Sequence, residues 1–364
     1  MARNLDLIPL SEWGFFTLPR PCVIAGPCSA EHEQQVLDTA KGLRAVGINV
    51  FRAGIWKPRT HPGCFEGIGV PGLKWLQKVK EETGMKISTE VASGKHVYEC
   101  IKHGIDMVWI GARTTANPFL VQEIAEALQN TDIPVLVKNP VSADIDLWIG
   151  ALERLNAMGV KKLGVIHRGF TSMNKIKYRN EPGWQIAIEL RSRYPELPFF
   201  CDPSHMGGST EFVEEISQRA LDLGLEGLMV ESHCNPSCAL SDAKQQLVPS
   251  DLGDMLENNL IVREPDSDNL EYKENIYQLR EKIDVIDENL LALMSSRMKI
   301  SEQIGEYKKT NNISILQTGR WDELLSKMVK KGAENGLSEH FVVELFNAIH
   351  EESVQVQNRI LEGK

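Results

Sequence analysis

No uninterrupted apolar run in this chain approaches the ~18 residues that a membrane span requires, so no membrane protein is expected. The opening residues, Met1-Ala2-Arg3-Asn4-Leu5-Asp6, lack the basic-then-apolar layout of a secretory leader. Cysteines at C-x-x-C spacing are missing as well. The seven present, an odd number, fit reduced thiols in a cytosol better than a disulfide framework. Positive charge is in deficit: the formal net charge of −10 argues against a general nucleic-acid binder. A small anionic substrate would still need only a local cationic pocket. The expectation is a cytoplasmic protein with neither nucleic acid nor membrane as partner. What remains is ordinary, 42% hydrophobic and 25% charged over 364 residues. That length suits one large domain and a smaller one.

From Pro21 to about Ile261 one unit recurs, a short apolar strand, a polar loop and an amphipathic helix. Strands are predicted at Cys22–Ala25, Asn49–Arg52, Lys86–Thr89, Met107–Ile110, Pro134–Val137, Lys162–Ile166, Pro198–Phe200 and Gly227–Val230. Helices fall between them, at Glu31–Val46, Pro71–Thr83, Asn117–Gln129, Asp146–Met158, Gly183–Tyr194 and Glu211–Leu223. A spacing of about 30 residues is what parallel strands with helical crossovers require, and eight units suffice for a closed (β/α)8 TIM barrel. An open doubly wound sheet is the alternative. The predicted domains are 1–261 for the barrel, 262–271 for a polar linker holding Pro265, and 272–364 for an all-α unit. In that last unit Ile276, Leu279, Ile283, Ile286, Leu290, Leu293, Ile300, Ile304 and Tyr307 keep the three-and-four spacing of a heptad seam. One helix of roughly 35 residues follows from the pattern, with two more near Arg320–Lys331 and Ser338–Leu361. Its seam must be buried against other helices, a partner chain's among them.

Every strand of a parallel barrel aims its C-terminal end at one rim, where catalytic groups gather. Those positions hold Cys28; Arg52, Lys57 and Arg59; Glu90; Arg113; Lys138; His167 and Arg168; Asp202 and His205; and Glu231, His233 and Asp242. Five cations, Arg52, Lys57, Arg113, Lys138 and Arg168, would repel one another unless an anion neutralised them. Guanidinium forks match carboxylate and phosphate, so phosphorylated and carboxylated substrates are implied. Lys57-Pro58-Arg59-Thr60 forms a stiff turn suited to a second phosphate. Cys28, His205, Glu231 and Asp242 offer a thiolate, an imidazole and two carboxylates. That mixed shell suits one divalent ion of manganese, iron, cobalt or zinc better than magnesium. Two other patterns fail on context. Gly67-Ile68-Gly69-Val70-Pro71-Gly72 matches G-x-G-x-x-G but comes about fifteen residues after its strand, not in its immediate turn. His233-Cys234 with Cys238 has no second pair to complete a zinc site.

Gly26-Pro27-Cys28-Ser29, Arg52-Ala53-Gly54, Lys57-Pro58-Arg59-Thr60, Gly111-Ala112-Arg113, Lys138-Asn139-Pro140, Arg168-Gly169, Asp202-Pro203-Ser204-His205 and Ser241-Asp242 occur in the order of one family. Residues 20–260 thereby resemble the type I, β-subgroup, 3-deoxy-D-arabino-heptulosonate 7-phosphate (DAHP) synthases. The related 3-deoxy-octulosonate 8-phosphate synthases compete, but Lys57-Pro58-Arg59-Thr60 looks like the erythrose-phosphate motif. The resemblance implies condensation of phosphoenolpyruvate with erythrose 4-phosphate. It gives the metal to Cys28, His205, Glu231 and Asp242. Phosphoenolpyruvate goes to Arg52, Lys57, Arg113, Lys138 and Arg168, with Lys138 also catalytic. The sugar phosphate goes to Arg59 and Thr60, and His233 to the phosphate side. His167 departs from the glutamate common at its position.

Arg297 occupies a seam position where an apolar residue is due, and a buried guanidinium is costly unless an anion meets it. Lys308 follows about three turns later on nearly the same face. Residues 272–364 resemble the all-helical chorismate mutases at Leu279-Arg280-Glu281-Lys282-Ile283-Asp284, Arg297, Lys308, Arg320 and Gln357. The resemblance implies rearrangement of chorismate to prephenate without a cofactor. Arg280, Arg297, Lys308, Arg320 and Gln357 would bind substrate, with Arg297, Lys308 and Gln357 also catalytic. Arg280 and Arg297, seventeen residues apart, stand about 25 Å apart along one helix and cannot share a small substrate. A catalytic Arg280 must then serve a partner's site, which implies a homodimer through the helical unit. Trp321 and Gln317 stand where the family often has glutamate and aspartate, which implies weaker activity. The alternative is a synthase whose helical unit mainly dimerises and senses pathway product.

Overall fold

Parallel strands cannot be joined by tight hairpins, so each apolar strand here is followed by a crossover before the next. In the computed structural model the strands are β1 (Cys22–Gly26), β2 (Val50–Arg52), β3 (Lys86–Val91), β4 (Met107–Ile110), β5 (Val135–Lys138), β6 (Leu163–His167), β7 (Phe199–Cys201) and β8 (Gly227–Glu231). They pair in chain order, and β1 closes on β8 with Cys22 opposite Gly227 and Gly26 opposite Glu231. The closed barrel forms, and that pairing excludes the open sheet. Side chains of Ser93, Asn117 and Asp144 cap three of the crossover helices by accepting from backbone N–H groups of the first turn. The structure describes residues 4–16, 21–58, 63, 65–172, 177–264, 266–316 and 318–362.

Strand periodicity of two sorts the barrel's side chains into layers. Ile24, Val50, Met107, Trp109, Leu136, Ile166, Phe200 and Met229 form one apolar cluster inside the barrel. Phe51, Ile87, Val108, Val137, Val165, Phe199 and Val230 belong to another, between strands and helices. Two residues beyond an inward position the chain again points inward, now at the top. Arg52, Lys138, Arg168, Asp202 and Glu231 all stand at that parity. His167 does not. Its ring is wholly buried among Trp148, Phe170, Trp184 and Phe199, with Nε2 2.6 Å from the Pro182 carbonyl oxygen. It therefore leaves the set of rim groups that its place at a strand end suggested. Burial pushes its pKa down to about 4.

Patterning assigns nothing to the segment before β1, yet that segment closes the bottom of the barrel. Trp13 is buried there, its Nε1 donating to the Ile8 carbonyl at 2.9 Å, and Phe16 packs on Phe200 with ring centroids 5.6 Å apart. The bottom face thus carries packing, and the opposite rim is left for chemistry.

The chain divides into compact units Met1–Pro265 and Asp266–Lys364. The second holds a long helix (Leu270–Thr310), a middle helix (Thr318–Glu334) and a C-terminal helix (Glu339–Glu362). The predicted linker is shorter than 262–271, because Asn269 caps the long helix by accepting from Tyr272 N at 3.2 Å. Close approach of the long and C-terminal helices rests on Gly305, where a Cβ would sit 3.3 Å from Gln357 Cα. Of the predicted seam residues none is buried, and only Ile276 is even partly covered. Leu279, Ile283, Ile286, Leu290, Leu293, Ile300, Ile304 and Tyr307 stay 43–75% exposed, and the C-terminal helix packs instead on a face that holds Ser301 and Gly305.

Candidate active site

The barrel rim holds a cavity of about 280 Å³. Lys57, Arg113, Lys138, Arg168 and Arg179 line it, together with Glu90, Asn180, His205 and Asp242. Lys138 comes from the end of β5, Arg168 from just past β6, Lys57 from the loop after β2, and Arg113 from a one-turn helix after β4. Five cations around so small a volume make a strongly positive well for an anion. Burial pulls the Arg168 guanidinium down to about 10. Arg168 Nη1 donates to Asn180 Oδ1 at 2.8 Å, which fixes the guanidinium's direction.

Beneath the cavity lies the donor set. Cys28 Sγ donates to Asp242 Oδ2 at 3.2 Å and accepts from Lys57 Nζ at 3.1 Å. His205 Nε2 stands 3.6 Å from Glu231 Oε1, and its Nδ1 stands 2.8 Å from Asp202 Oδ2. Burial, then the Glu231 charge, push the Cys28 thiol up to about 12. Burial would raise both carboxylates, but His205 with Arg52 outweighs it at Glu231, and His205 with Arg179 outweighs it at Asp242. Both are held below the usual carboxylate range. Among the described residues no three His, Cys, Asp or Glu side chains stand in a metal-holding arrangement. The four predicted donors instead meet as two pairs. Yet Glu231 Oε1 is wholly buried and accepts no hydrogen bond from a described residue, which suits a cation between the pairs. The chemistry of the set, soft thiol and imidazole with hard carboxylates, also fits a divalent transition metal.

Arg52 lies deeper than predicted. It is 1% exposed, stacked 4.7 Å above Trp109, with Nε and Nη1 finding no hydrogen-bond partner among the described residues and Nη2 3.4 Å from Glu231 Oε1. His233 does not line the cavity. Its Nδ1 accepts from Asn235 N at 2.9 Å, and its Nε2 is 3.9 Å from Glu31. Arg59 and Thr60 lie outside the described residues, as do Gln317 and the Arg320 side chain. Arg179 was missed: its Nη1 donates to Asp242 Oδ1 and to Gln245 Oε1, both at 2.9 Å. It sits in a loop eleven residues after Arg168, with no strand-end position to mark it.

In the helical unit Arg297 Nη1 donates to Ser353 Oγ across the long and C-terminal helices. Lys308 Nζ donates to the Ile315 carbonyl at 2.5 Å. Gln357 is buried on the facing C-terminal helix, its Oε1 without a partner among the described residues. These three share one helix–helix interface, whereas Arg280 is exposed on the other half of the long helix. Trp321 stacks on His350 with centroids 4.0 Å apart, fastening the middle helix to the C-terminal one.

The family model described as DAHP synthetase I family matches residues 19–263. This chain belongs to that family. A second model, chorismate mutase type II, matches residues 279–358, and the two together support an enzyme of both activities. The phospho-2-dehydro-3-deoxyheptonate aldolase of Thermotoga maritima is 34% identical over 64% of this chain. The chain spans 66% of that relative's length. A 2-dehydro-3-deoxyphosphooctonate aldolase of Vesicomyosocius okutanii is 29% identical over 64% of this chain and 87% of its own. The crystal structure of the Thermotoga maritima DAHP synthase superposes with a TM-score of 0.59 at 30% identity, covering 67% of this chain and 68% of that one.

Proposed function

We propose that this is a bifunctional shikimate-pathway enzyme. Its barrel condenses phosphoenolpyruvate, erythrose 4-phosphate and water to DAHP and phosphate, and its helical unit rearranges chorismate to prephenate. The observation that carries the first activity is the convergence of Lys57, Arg113, Lys138, Arg168 and Arg179 on one cavity beside His205 and Asp242. In this reading Cys28, His205, Glu231 and Asp242 hold a divalent ion of manganese, iron, cobalt or zinc. Bound there, it would supply Lewis acidity toward the aldehyde oxygen.

The chain's own groups do the rest. Arg113, Lys138 and Arg168 grip phosphoenolpyruvate from the rim, Lys57 grips it from the cysteine side, and Arg52 adds charge from below. Arg59 and Thr60 take the sugar phosphate. Held in reacting distance, the enol carbon attacks the aldehyde, water adds to the neighbouring carbon, and inorganic phosphate leaves. Fixed cations stabilise the charge as it moves, without reorganising during the reaction. Lys138, held by Asp202, is the cation assigned to catalysis.

In the mutase reaction Arg297 clamps one chorismate carboxylate, and Lys308 and Gln357 face the ether oxygen where negative charge develops. Arg280 completes a partner's site. The exposed seam Leu279–Leu293 supports this homodimer, since an apolar stripe that long needs cover. A cytoplasmic location is part of the reading, supported by the described cysteines being thiols. One observation favours a second reading, in which the helical unit mainly dimerises and senses product. Trp321 against His350 puts an aromatic stack where the related mutases often carry a carboxylate. Assaying both reactions in the intact chain, with and without a metal chelator, tests the proposal. Chelation should stop DAHP formation and spare prephenate formation. Absence of chorismate turnover, with a synthase rate that responds to prephenate, would establish the second reading instead.

A further inference from the structure

Gln245 and Gln246 are neighbours in the chain just after Asp242, and each is only 1% exposed. A buried amide is costly unless both its ends are hydrogen-bonded. Here all four ends are, and every partner belongs to the donor set or its loop except Arg179, which is itself bonded to Asp242. Gln246 Oε1 accepts from Cys28 N at 2.9 Å, and Gln246 Nε2 donates to the Ser241 carbonyl at 2.8 Å. Gln245 Nε2 donates to Glu231 Oε2 at 2.7 Å, and Gln245 Oε1 accepts from Arg179 Nη1 at 2.9 Å. The partners dictate how each amide points. A backbone N–H and a guanidinium can only donate, while a carbonyl and a carboxylate accept.

Neither glutamine lines the cavity, so neither touches substrate. Their effect is on spacing. Gln246 ties the backbone of the β1 loop to the residue before Asp242, bringing Cys28 Sγ to 3.2 Å from Asp242 Oδ2. Gln245 occupies one oxygen of Glu231 and leaves the other, Oε1, turned toward His205. It also shares Arg179 with Asp242, so the two carboxylates are linked through one amide.

We propose that Gln245 and Gln246 are positioning residues for the divalent cation, Gln246 setting Cys28 against Asp242 and Gln245 setting the free oxygen of Glu231. The proposal rests on the metal reading above. Groups that orient metal ligands typically govern affinity by 10–100-fold, roughly the effect expected here.

The test uses the full chain stripped of metal and titrated with Mn²⁺ and Co²⁺. Wild type should bind one ion per chain, and Cys28→Ala should lose it. Gln245→Leu and Gln246→Leu should weaken Mn²⁺ by about 10–100-fold. Gln246→Glu keeps the acceptor for Cys28 N and should lose less than Gln246→Leu, and it stands in if the leucine variant does not fold. With Co²⁺, the thiolate charge-transfer absorption should fade in the Gln246 variants and persist in Gln245→Leu. A merely structural role would lower the melting temperature of the metal-free protein without moving that spectrum. Glutamine variants that bind both ions as wild type does would overturn the positioning role alone. Equal binding by wild type and Cys28→Ala, or none by either, would overturn the metal reading and this inference with it.

Discussion

Replacing Lys138 by methionine removes the cation from a buried ion pair at the rim. Lys138 is 4% exposed, and its Nζ lies 2.6 Å from Oδ2 of Asp202, which is wholly buried. Burial acts to raise the Asp202 carboxyl, but His205 and Lys138 outweigh it and hold it well below the usual range. Taking one partner from a buried pair generally costs about 3–5 kcal/mol, because the remaining charge is stranded. Asp202 would keep His205 Nδ1 at 2.8 Å and the His205 N–H at 2.9 Å, so the lower end, about 3 kcal/mol, applies. In a domain of this size each kcal/mol shifts the midpoint by about 2–4 °C, so the barrel should melt about 6–12 °C lower. Adding Asp202→Asn removes the stranded charge, and the double variant should recover most of that loss. DAHP formation should remain depressed by about a hundredfold or more in both, since the cation facing the substrate is gone. Thermal melting and a synthase assay on the same preparations decide it. A single variant melting within about 2 °C of wild type would refute the stability reasoning, and recovered synthase activity in the double variant would make Lys138 purely structural.

The remaining predictions read other parts of the same structure. His167 is depressed to about 4 from 6.5, so below 6.5 the unfolded chain binds a proton that the fold refuses. Stability should fall by about 3 kcal/mol as pH drops from 6.5 to 4, and His167→Gln should flatten that slope in denaturant titrations across the window. Gly26→Ala would drive a Cβ to 1.9 Å from the Arg52 carbonyl oxygen at a φ of +152°, both unfavourable. It should cost several kcal/mol and prise Cys28 away from Arg52; a variant with wild-type melting and activity would contradict the close β1–β2 approach. Arg297→Ala should lower chorismate turnover by about a hundredfold or more while leaving DAHP formation intact, and equal losses in both rates would show a folding defect instead.

The barrel was legible because its signal is redundant. Eight apolar strands at even spacing specify parallel crossovers, and a misplaced boundary such as Pro134 for Val135 changes nothing at the rim. Side-chain direction at each strand end was less so. Reading strand ends as a list of ionisable residues treats Arg168 and His167 alike, whereas the period of two separates them. Ile166 belongs to the inner cluster, so His167 must face the helices. The same rule, applied to Val50 and Arg52, would have put the guanidinium inside the barrel top rather than on its edge. Loops obey no such period. That is why Arg179, Gln245 and Gln246 carried no sequence signal, although the first two hold the carboxylates of Asp242 and Glu231 and the third holds the Cys28 backbone.

In the helical unit the limit is of another kind. The heptad spacing correctly predicts a long helix, but a seam says only that a face is apolar, not which helix covers it. From Arg297 onward the long helix meets the C-terminal helix, with Gly305 and Gln357 in close approach and Arg297 bonded to Ser353. The seam's apolar side chains, Ile283, Ile286, Leu290 and Leu293 before Arg297 and Ile300, Ile304 and Tyr307 after it, keep 43–75% of their surface in water. Removing apolar surface from water is worth roughly 25 cal/mol per Å², so an uncovered stripe of this length is a standing drive toward association. Arg280 is exposed along that stripe, whereas Arg297 is half-buried against the C-terminal helix. Association and a shared mutase site are therefore one hypothesis. Dilution that dissociates the protein should abolish chorismate turnover, and a monomer retaining full turnover would exclude Arg280 from the chemistry.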